Sequence, residues 1–289
     1  MDEEDVFQRE TNLLQLADKI GKDIPKPCSI YNQLILNARG LCTYMNFYVL
    51  SKSPESHIVI SINKDNEEDI EMHCLKEEVN TLVEALGCTH LINWKKDITF
   101  YHIYDHFIPG IKKLIETKSG TKLEPNLCYI YIYKDNTNLS LSCPQGFDVK
   151  LLGKRAIREM FDTWDYSHLS NFDGINRLAS AGLACGVYLC PTSESKTLNL
   201  NDVTTGSDEE VPIAWMTTCS YGGLGILKTV EKYRKRGLGT LIAQSCAKVV
   251  KNKGYIPHSF VQYDNSVSKS FFDKMHWEQL PCASFKYKI

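Results

Sequence analysis

Hydrophobic and polar positions along this chain switch between two periods, and the switches mark out its elements. The apolar run Leu224 to Val230 predicts a strand. After it, Tyr233-Arg234-Lys235-Arg236-Gly237-Leu238-Gly239-Thr240 predicts a loop, and the apolar positions up to Lys253 a helix. Val6, Leu13, Leu14, Leu16, Ala17 and Ile20 fall near one helical stripe that ends at Gly21 and Pro25, so residues 4–21 predict an opening helix. Short β-like runs follow at 43–50 and 57–62, turned by Ser-Lys-Ser-Pro, and helical patterns at 75–86 and 107–117. Residues 129–133 and 139–142 read as strands of a hairpin around Lys-Asp-Asn-Thr-Asn.

Pro144-Gln145-Gly146 interrupts the pattern and predicts a domain boundary, giving an N-terminal α/β domain over 1–144 and a second domain over 145–289. In the second, 147–152 and 184–189 predict strands, 155–164 and 171–181 helices. Residues 191–210 are too polar to bury and predict a mobile surface loop.

A length of 289 residues suits two ordinary domains, each able to bury a core. The net charge of −2 gives no global attraction to nucleic acid or an anionic membrane, so the cations at 232–236 are a local feature. Eleven cysteines are scattered from Cys28 to Cys282 without a Cys-x-x-Cys pair, which predicts reduced thiols and no metal site. The acidic start Met-Asp-Glu-Glu-Asp resembles neither a signal nor a transit peptide, and no apolar stretch is long enough to span a bilayer; the expectation is a cytoplasmic protein.

The loop carries the chemistry. A helix leaves its first four N–H groups without internal partners, so a loop feeding a helix offers those donors and the positive dipole end to an anion. Gly237 and Gly239 allow close backbone approach, while Arg234, Lys235 and Arg236 add charge; the ligand this suits is a phosphate. The chain has no Gly-x-Gly-x-x-Gly and no Gly-Lys-Ser/Thr, which disfavours a Rossmann or P-loop reading.

Arg-x-x-Gly-x-Gly at Arg234, Gly237 and Gly239, followed by the strand Ser259 to Tyr263 and by Asn265, Ser268, Phe272, His276 and Trp277, resembles the GCN5-related N-acetyltransferases. Pro212-Ile213-Ala214-Trp215 through Tyr233-Arg234, and more loosely Leu91-Ile92-Asn93-Trp94-Lys95, resemble glycine N-acyltransferases within that superfamily. The resemblance implies an α/β (α+β) acyltransferase fold with a mixed, partly splayed sheet, closed by a strand at 259–263, a helix opened by Asn265 and a hairpin over 283–289, and preceded by a smaller α/β N-terminal domain that such a fold allows to be a degenerate half of similar type. It implies an acetyl-CoA or other acyl-CoA donor, a small amine or amino-acid acceptor of glycine type, and no metal. By family offset, cofactor contacts fall to Leu227, Thr229, Val230, Arg234, Lys235, Arg236, Gly237, Leu238, Gly239, Thr240, Asn265 and Phe272.

The catalytic groups depart from the family pattern. Where glycine N-acyltransferases are expected to carry a base glutamate the chain has Lys232, with Glu231 one step earlier. A one-residue shift in a strand reverses the face, so Glu231, Lys232 and a water relay from His258 or Asp264 all stay open. At the tyrosine many relatives use as acid stands Phe272, leaving Tyr221, Tyr263 or solvent; Cys219 or Cys246 as an acyl carrier is a further alternative. The alternatives to small-molecule N-acyl transfer are peptide acetylation and silent acyl-CoA binding.

Overall fold

The computed structural model describes residues 5–63, 69–120, 122, 124–134, 141–169 and 171–287. The chain divides into two compact units, Met1–Ile130 with Val261–Ser268 and Gln279–Ile289, and Tyr131–Phe260 with Lys269–Glu278. Along the chain the first passage from one unit to the other lies between Ile130 and Tyr131, and the C-terminal segments are shared out between the units.

The first unit opens with strand β1 (Phe7–Glu10), then helices α1 (Leu13–Ile20) and α2 (Cys28–Ala38). The expected single helix over 4–21 is thus a strand and a helix: Phe7 to Glu10 pair antiparallel with residues 47–50, a tertiary contact that overrides the local stripe. Strands β2 (Met45–Leu50), β3 (Val59–Asn63) and β4 (Asp69–His73) follow, then α3 (Val79–Cys88), β5 (Ile98–Tyr104) and α4 (Ile108–Ser119). The sheet runs β1-β2-β3-β4-β5, antiparallel except for the parallel pair β4 and β5. Ile58, Ile60, Phe47 and Phe100 are fully buried in this unit. Asp5 ties its start to the far end of α3, accepting from Phe7 N–H at 3.0 Å, Thr89 Oγ1 at 2.7 Å and His90 N–H at 2.8 Å.

Strand β6 (Asn126–Ile132) leads toward the second unit, in which β7 (Ser142–Cys143), β8 (Phe147–Leu151), α5 (Lys154–Asp162), α6 (Phe172–Leu178) and β9 (Ala184–Leu189) follow. Next come β10 (Lys196–Thr197), β11 (Ala214–Thr218), β12 (Leu224–Thr229), α7 (Leu238–Asn252), β13 (His258–Gln262), α8 (Ser266–Lys274) and β14 (Glu278–Tyr287). The expected hairpin over 283–289 is one ten-residue strand, β14, antiparallel to β5; residues 288–289 and the turn expected at 135–138 lie outside the described residues. A four-stranded antiparallel sheet in the order β12-β11-β9-β8 packs against a core of Leu152, Ala156, Ile157, Met160, Ile175 and Trp215. Strand, two helices, three main strands, helix, strand, helix: both halves of the chain repeat that order of elements. Among the described residues no helix is long and apolar enough to cross a membrane.

Residues 191–210 are held at several points. Leu198 N–H donates to Leu141 O, Leu151 N–H to Thr204 O and Gly206 N–H back to Leu151 O, while Lys150 pairs with Glu210 and Lys154 with Asp208. The contact is tightest at Gly153, where a Cβ would lie 2.4 Å from Ser207 O. Gly153→Ala is therefore expected to lower stability by about 1–3 kcal/mol in urea unfolding, since the clash is with backbone that cannot rotate away.

Burial opposes ionisation of Asp5, but its three hydrogen bonds outweigh that and hold the carboxyl below the usual value. A depressed folded pKa contributes stability that is present above the unfolded value of about 3.9 and lost as pH falls through the folded one. Asp5→Asn is expected to be destabilised at pH 7 and to show a flatter fall in stability below about pH 4 than the wild type, measured by chemical unfolding across pH.

Candidate active site

In the four-stranded sheet of the second unit, the outer edge of β12 pairs with no strand among the described residues. β12 is the last strand of its sheet, and β13, next to it at its start, ends a different sheet, so the two share no ladder among the described residues. They are joined where Ser259 Oγ donates to Leu224 O at 2.9 Å. In the first unit the equivalent strands β4 and β5 are paired directly through Asp69, Ile70 and Glu71. An unpaired strand edge presents N–H and C=O groups that an extended amide chain can satisfy.

β12 is also bulged. Trp215 faces Lys228 and Thr217 faces Gly225, so Met216 alone opposes Ile226 and Leu227. Ile226 takes φ 54°, a left-handed conformation that costs an L-residue about 1–2 kcal/mol and that bends the strand as bulges do.

At the C-terminal end of β12 the chain makes one 3₁₀ turn over Glu231–Tyr233 and enters α7. Tyr233 N–H donates to Val230 O, Arg234 N–H to Glu231 O, and the helix's first internal bond is Leu241 N–H to Gly237 O. Between them, the N–H groups of Lys235, Arg236, Gly237, Leu238, Gly239 and Thr240 meet no protein acceptor among the described residues. Lys235 at φ 61° and Gly237 at φ 76° turn this backbone, and no atom lies within 4 Å of where a Gly237 Cβ would be. All but Leu238 and the half-buried Gly239 are exposed, so the corner is open and not plugged by side chains.

The cations are arranged around it. Arg234 Nε donates to Thr229 O at 3.2 Å and locks the loop onto the strand end, leaving the rest of its guanidinium outward. Lys232 and Arg236 both lie against the Tyr233 ring, at 5.0 and 5.5 Å from its centroid.

The other sequence-predicted residues are placed as follows. Val230 donates its N–H to Ile213 O, so that group is engaged within the protein. Asn265 Oδ1 accepts from Ser268 N–H at 3.0 Å and caps α8. Phe272 is buried against Tyr131 and Trp277, with centroids 5.1 and 4.9 Å away. Its neighbour Phe271, which no motif singles out, is the ring that comes to 3.6 Å of the Gly239 Cβ position. Glu231 and Lys232 are exposed on the 3₁₀ turn, and Tyr263 is exposed beside Tyr129.

The structure gathers a buried polar group at the start of β12. The hydroxyl of Tyr221 bonds the Cys219 thiol, and Tyr221 and His258 each pack edge-on to Phe260, at 5.3 and 5.4 Å. Gly223 and Gly225 make room for them: a Cβ on Gly223 would meet the Tyr221 ring at 2.3 Å and His258 Nε2 at 3.0 Å. His258 Nδ1 is 2.9 Å from Ile256 O, a pure acceptor, so the neutral ring carries its proton on Nδ1 and its lone pair on Nε2. Burial, then the Cys219 neighbour, push the Tyr221 phenol well above its ordinary value, so it stays protonated and acts as a donor. Cys246 is fully buried and its thiol is held well above the usual range by its hydrogen bond with Cys185 and by burial, so it is no nucleophile at neutral pH.

Residues 205–284 match the FR47-like protein family, and residues 42–114 match a domain of unknown function (DUF5645). The chain is 20% identical over 287 residues to glycine N-acyltransferase of Rattus norvegicus, covering 94% of each. A Drosophila protein solved by X-ray crystallography superposes with a TM-score of 0.72 at 16% identity, over 98% of both chains. A GCN5-related glucosamine N-acetyltransferase region of a fungal multi-domain β-N-acetylglucosaminidase aligns with a TM-score of 0.50 at 11% identity, over 98% of this chain and 38% of that one. These structural likenesses establish the fold.

Gly237→Ala is expected to destabilise by about 1–2 kcal/mol in urea unfolding, with an unchanged m-value. The cost is backbone strain alone, because the added methyl meets nothing.

Proposed function

We propose that the chain is an acyltransferase of the GCN5-related N-acetyltransferase type, and that it transfers an acyl group from coenzyme A to the amino group of a small amine or amino acid, directly and within a ternary complex. The observation that carries the reading is the run of six unaccepted N–H groups at 235–240, ringed by Arg234, Lys235 and Arg236, beside an open strand edge. A diphosphate satisfies the first, and the amide groups of pantetheine suit the second through Leu227 and Thr229. The glycine-type acceptor rests on the similarity to rat glycine N-acyltransferase along nearly the full length of both chains.

In the reaction the neutral amine attacks the thioester carbonyl, the carbonyl oxygen takes up negative charge, the nitrogen loses a proton and the thiolate leaves with its electron pair. Positioning supplies much of the rate, and a thiol of pKa about 8.5 leaves without strong acid assistance. His258, with its Nε2 lone pair, is the group suited to draw the amine proton through water, and Tyr221 the group suited to donate to the leaving sulfur. Glu231, Lys232 and Tyr263 are the exposed alternatives. Catalytically silent acyl-CoA binding is the second reading, favoured by Lys232 and Phe272 at positions where the family carries a base and an acid.

Lys235→Glu combined with Arg236→Glu leaves the fold intact, since both side chains are exposed. Coenzyme A affinity by calorimetry should fall at least about tenfold per side chain, as expected for charge-assisted contacts, while pantetheine binding is unchanged. Equal binding by wild type and double variant would remove the phosphate site. With glycine and a panel of amines, thioester loss is expected; binding without turnover would select the silent reading. Tyr221→Phe, Glu231→Gln, Lys232→Met and Tyr263→Phe then sort the roles: loss of a proton-handling group lowers kcat by about 10²–10⁴ at unchanged coenzyme A affinity.

A further inference from the structure

The first unit has its own strand-to-helix corner, where β4 ends at His73 and a 3₁₀ turn over Lys76–Glu78 leads into α3. Its place in the element order is that of the corner between β12 and α7, but its charge is opposite. Where the second unit carries Arg234, Lys235 and Arg236, this one carries Glu77 and Glu78 beside Lys76, a net negative corner, and no glycine. Such a corner repels phosphate and suits a cation.

Three residues meet there from separate segments. Asp23 closes the turn after α1, His57 lies in the loop before β3, and His73 ends β4 opposite Val59 of β3. Asp23 Oδ2 is 2.5 Å from His57 Nδ1 and 3.0 Å from His73 Nε2, and one ligand atom from each of the three lies within 4.8 Å of the others. His73 is buried and its Nδ1 has no partner among the described residues, so nothing else in the protein fixes which of its nitrogens carries the proton. Glu78 supports the cluster from behind: Oε1 accepts from His57 N–H at 2.9 Å and from Ser56 Oγ at 2.7 Å, which holds the His57 segment in place.

We propose that Asp23, His57 and His73 form a binding site for a divalent transition-metal ion, with zinc as the reference ion. Two imidazoles and one carboxylate are a zinc donor set that leaves a fourth position for water. Metal–ligand distances of about 2.0–2.2 Å in a tetrahedron place donor atoms about 3.3 Å apart, so side-chain shifts of under about 1 Å open the present hydrogen-bonded cluster to the ion. Each neutral imidazole moves its proton to its outer nitrogen, His57 to Nε2 and His73 to Nδ1, and the ion takes the two freed lone pairs and the carboxylate. Asp23 and His57 are partly exposed, which gives the ion and the water a way in. The bound ion staples the turn after α1 to β3 and β4. Spacing along the sequence hides the site, because its members are 34 and 50 residues from Asp23.

The test uses the full-length chain, stripped with chelator and kept reduced. Cobalt(II) titration is expected to saturate at one equivalent with the visible absorption of a four-coordinate nitrogen and oxygen site, and zinc should displace it. Zinc at about 100 µM should raise the melting temperature of the wild type, as a micromolar site requires, and not that of His57→Ala. His57 is partly exposed, so that variant keeps the fold even if His73→Ala does not, and its zinc affinity should fall about 100-fold or more, beyond the usual loss of an outer-sphere partner. Absence of saturable binding would overturn the proposal and leave a hydrogen-bonded bridge only. So would affinity unchanged in His57→Ala, or a thiolate-to-cobalt band abolished by alkylating the cysteines.

Discussion

Six consecutive main-chain N–H groups without an acceptor, from Lys235 to Thr240, are the constraint on which the second unit turns. Buried or not, such donors need partners, and here they converge with the positive end of a fifteen-residue helix. Keeping them together requires the left-handed Gly237, the 3₁₀ turn before it and the Arg234 bond to Thr229 O, which together bend the chain back over the strand end. The result is a cluster of donors, made largely of backbone, whose polarity suits an anion. Its side-chain cations add attraction but do not define its shape.

The same sequence of elements appears twice along the chain, and comparing the copies shows what the function needs. In the first, β4 and β5 pair in parallel and the corner after β4 carries Glu77 and Glu78 beside Lys76, so β4 has no open edge there and its corner no ring of cations. In the second, the bulge at Ile226 and the missing ladder beyond Ser259 leave β12 half unpaired. An exposed strand edge is ordinarily a hazard that proteins cover. Its place beside the N–H cluster is what the proposed coenzyme A site would use, since one extended ligand could cover both.

Much of this was legible in the sequence because it is local. The apolar run 224–230, the glycine pair and the amphipathic stretch after it lie within thirty residues, and each element formed where the pattern put it. Other elements were hidden for physical reasons. Helix α2 buries Ser29, Asn32 and Gln33 along with its apolar residues, so it has no polar face to reveal a period. Strand β1 is four residues with one buried, defined by its pairing with β2 and not by its own composition. The cluster of Tyr221, His258 and Cys219 was visible only as separate candidates, since Gly223 and Gly225 matter through what they leave room for.

The most direct test of the central claim is backbone amide NMR of the isotopically labelled chain during coenzyme A titration. Occupation of the corner by a diphosphate predicts the largest downfield amide shifts at Lys235 to Thr240, with the amides of Cys74 to Val79, the acidic counterpart, unmoved. Unshifted 235–240 amides at saturating ligand, or largest shifts elsewhere in the chain, would contradict it.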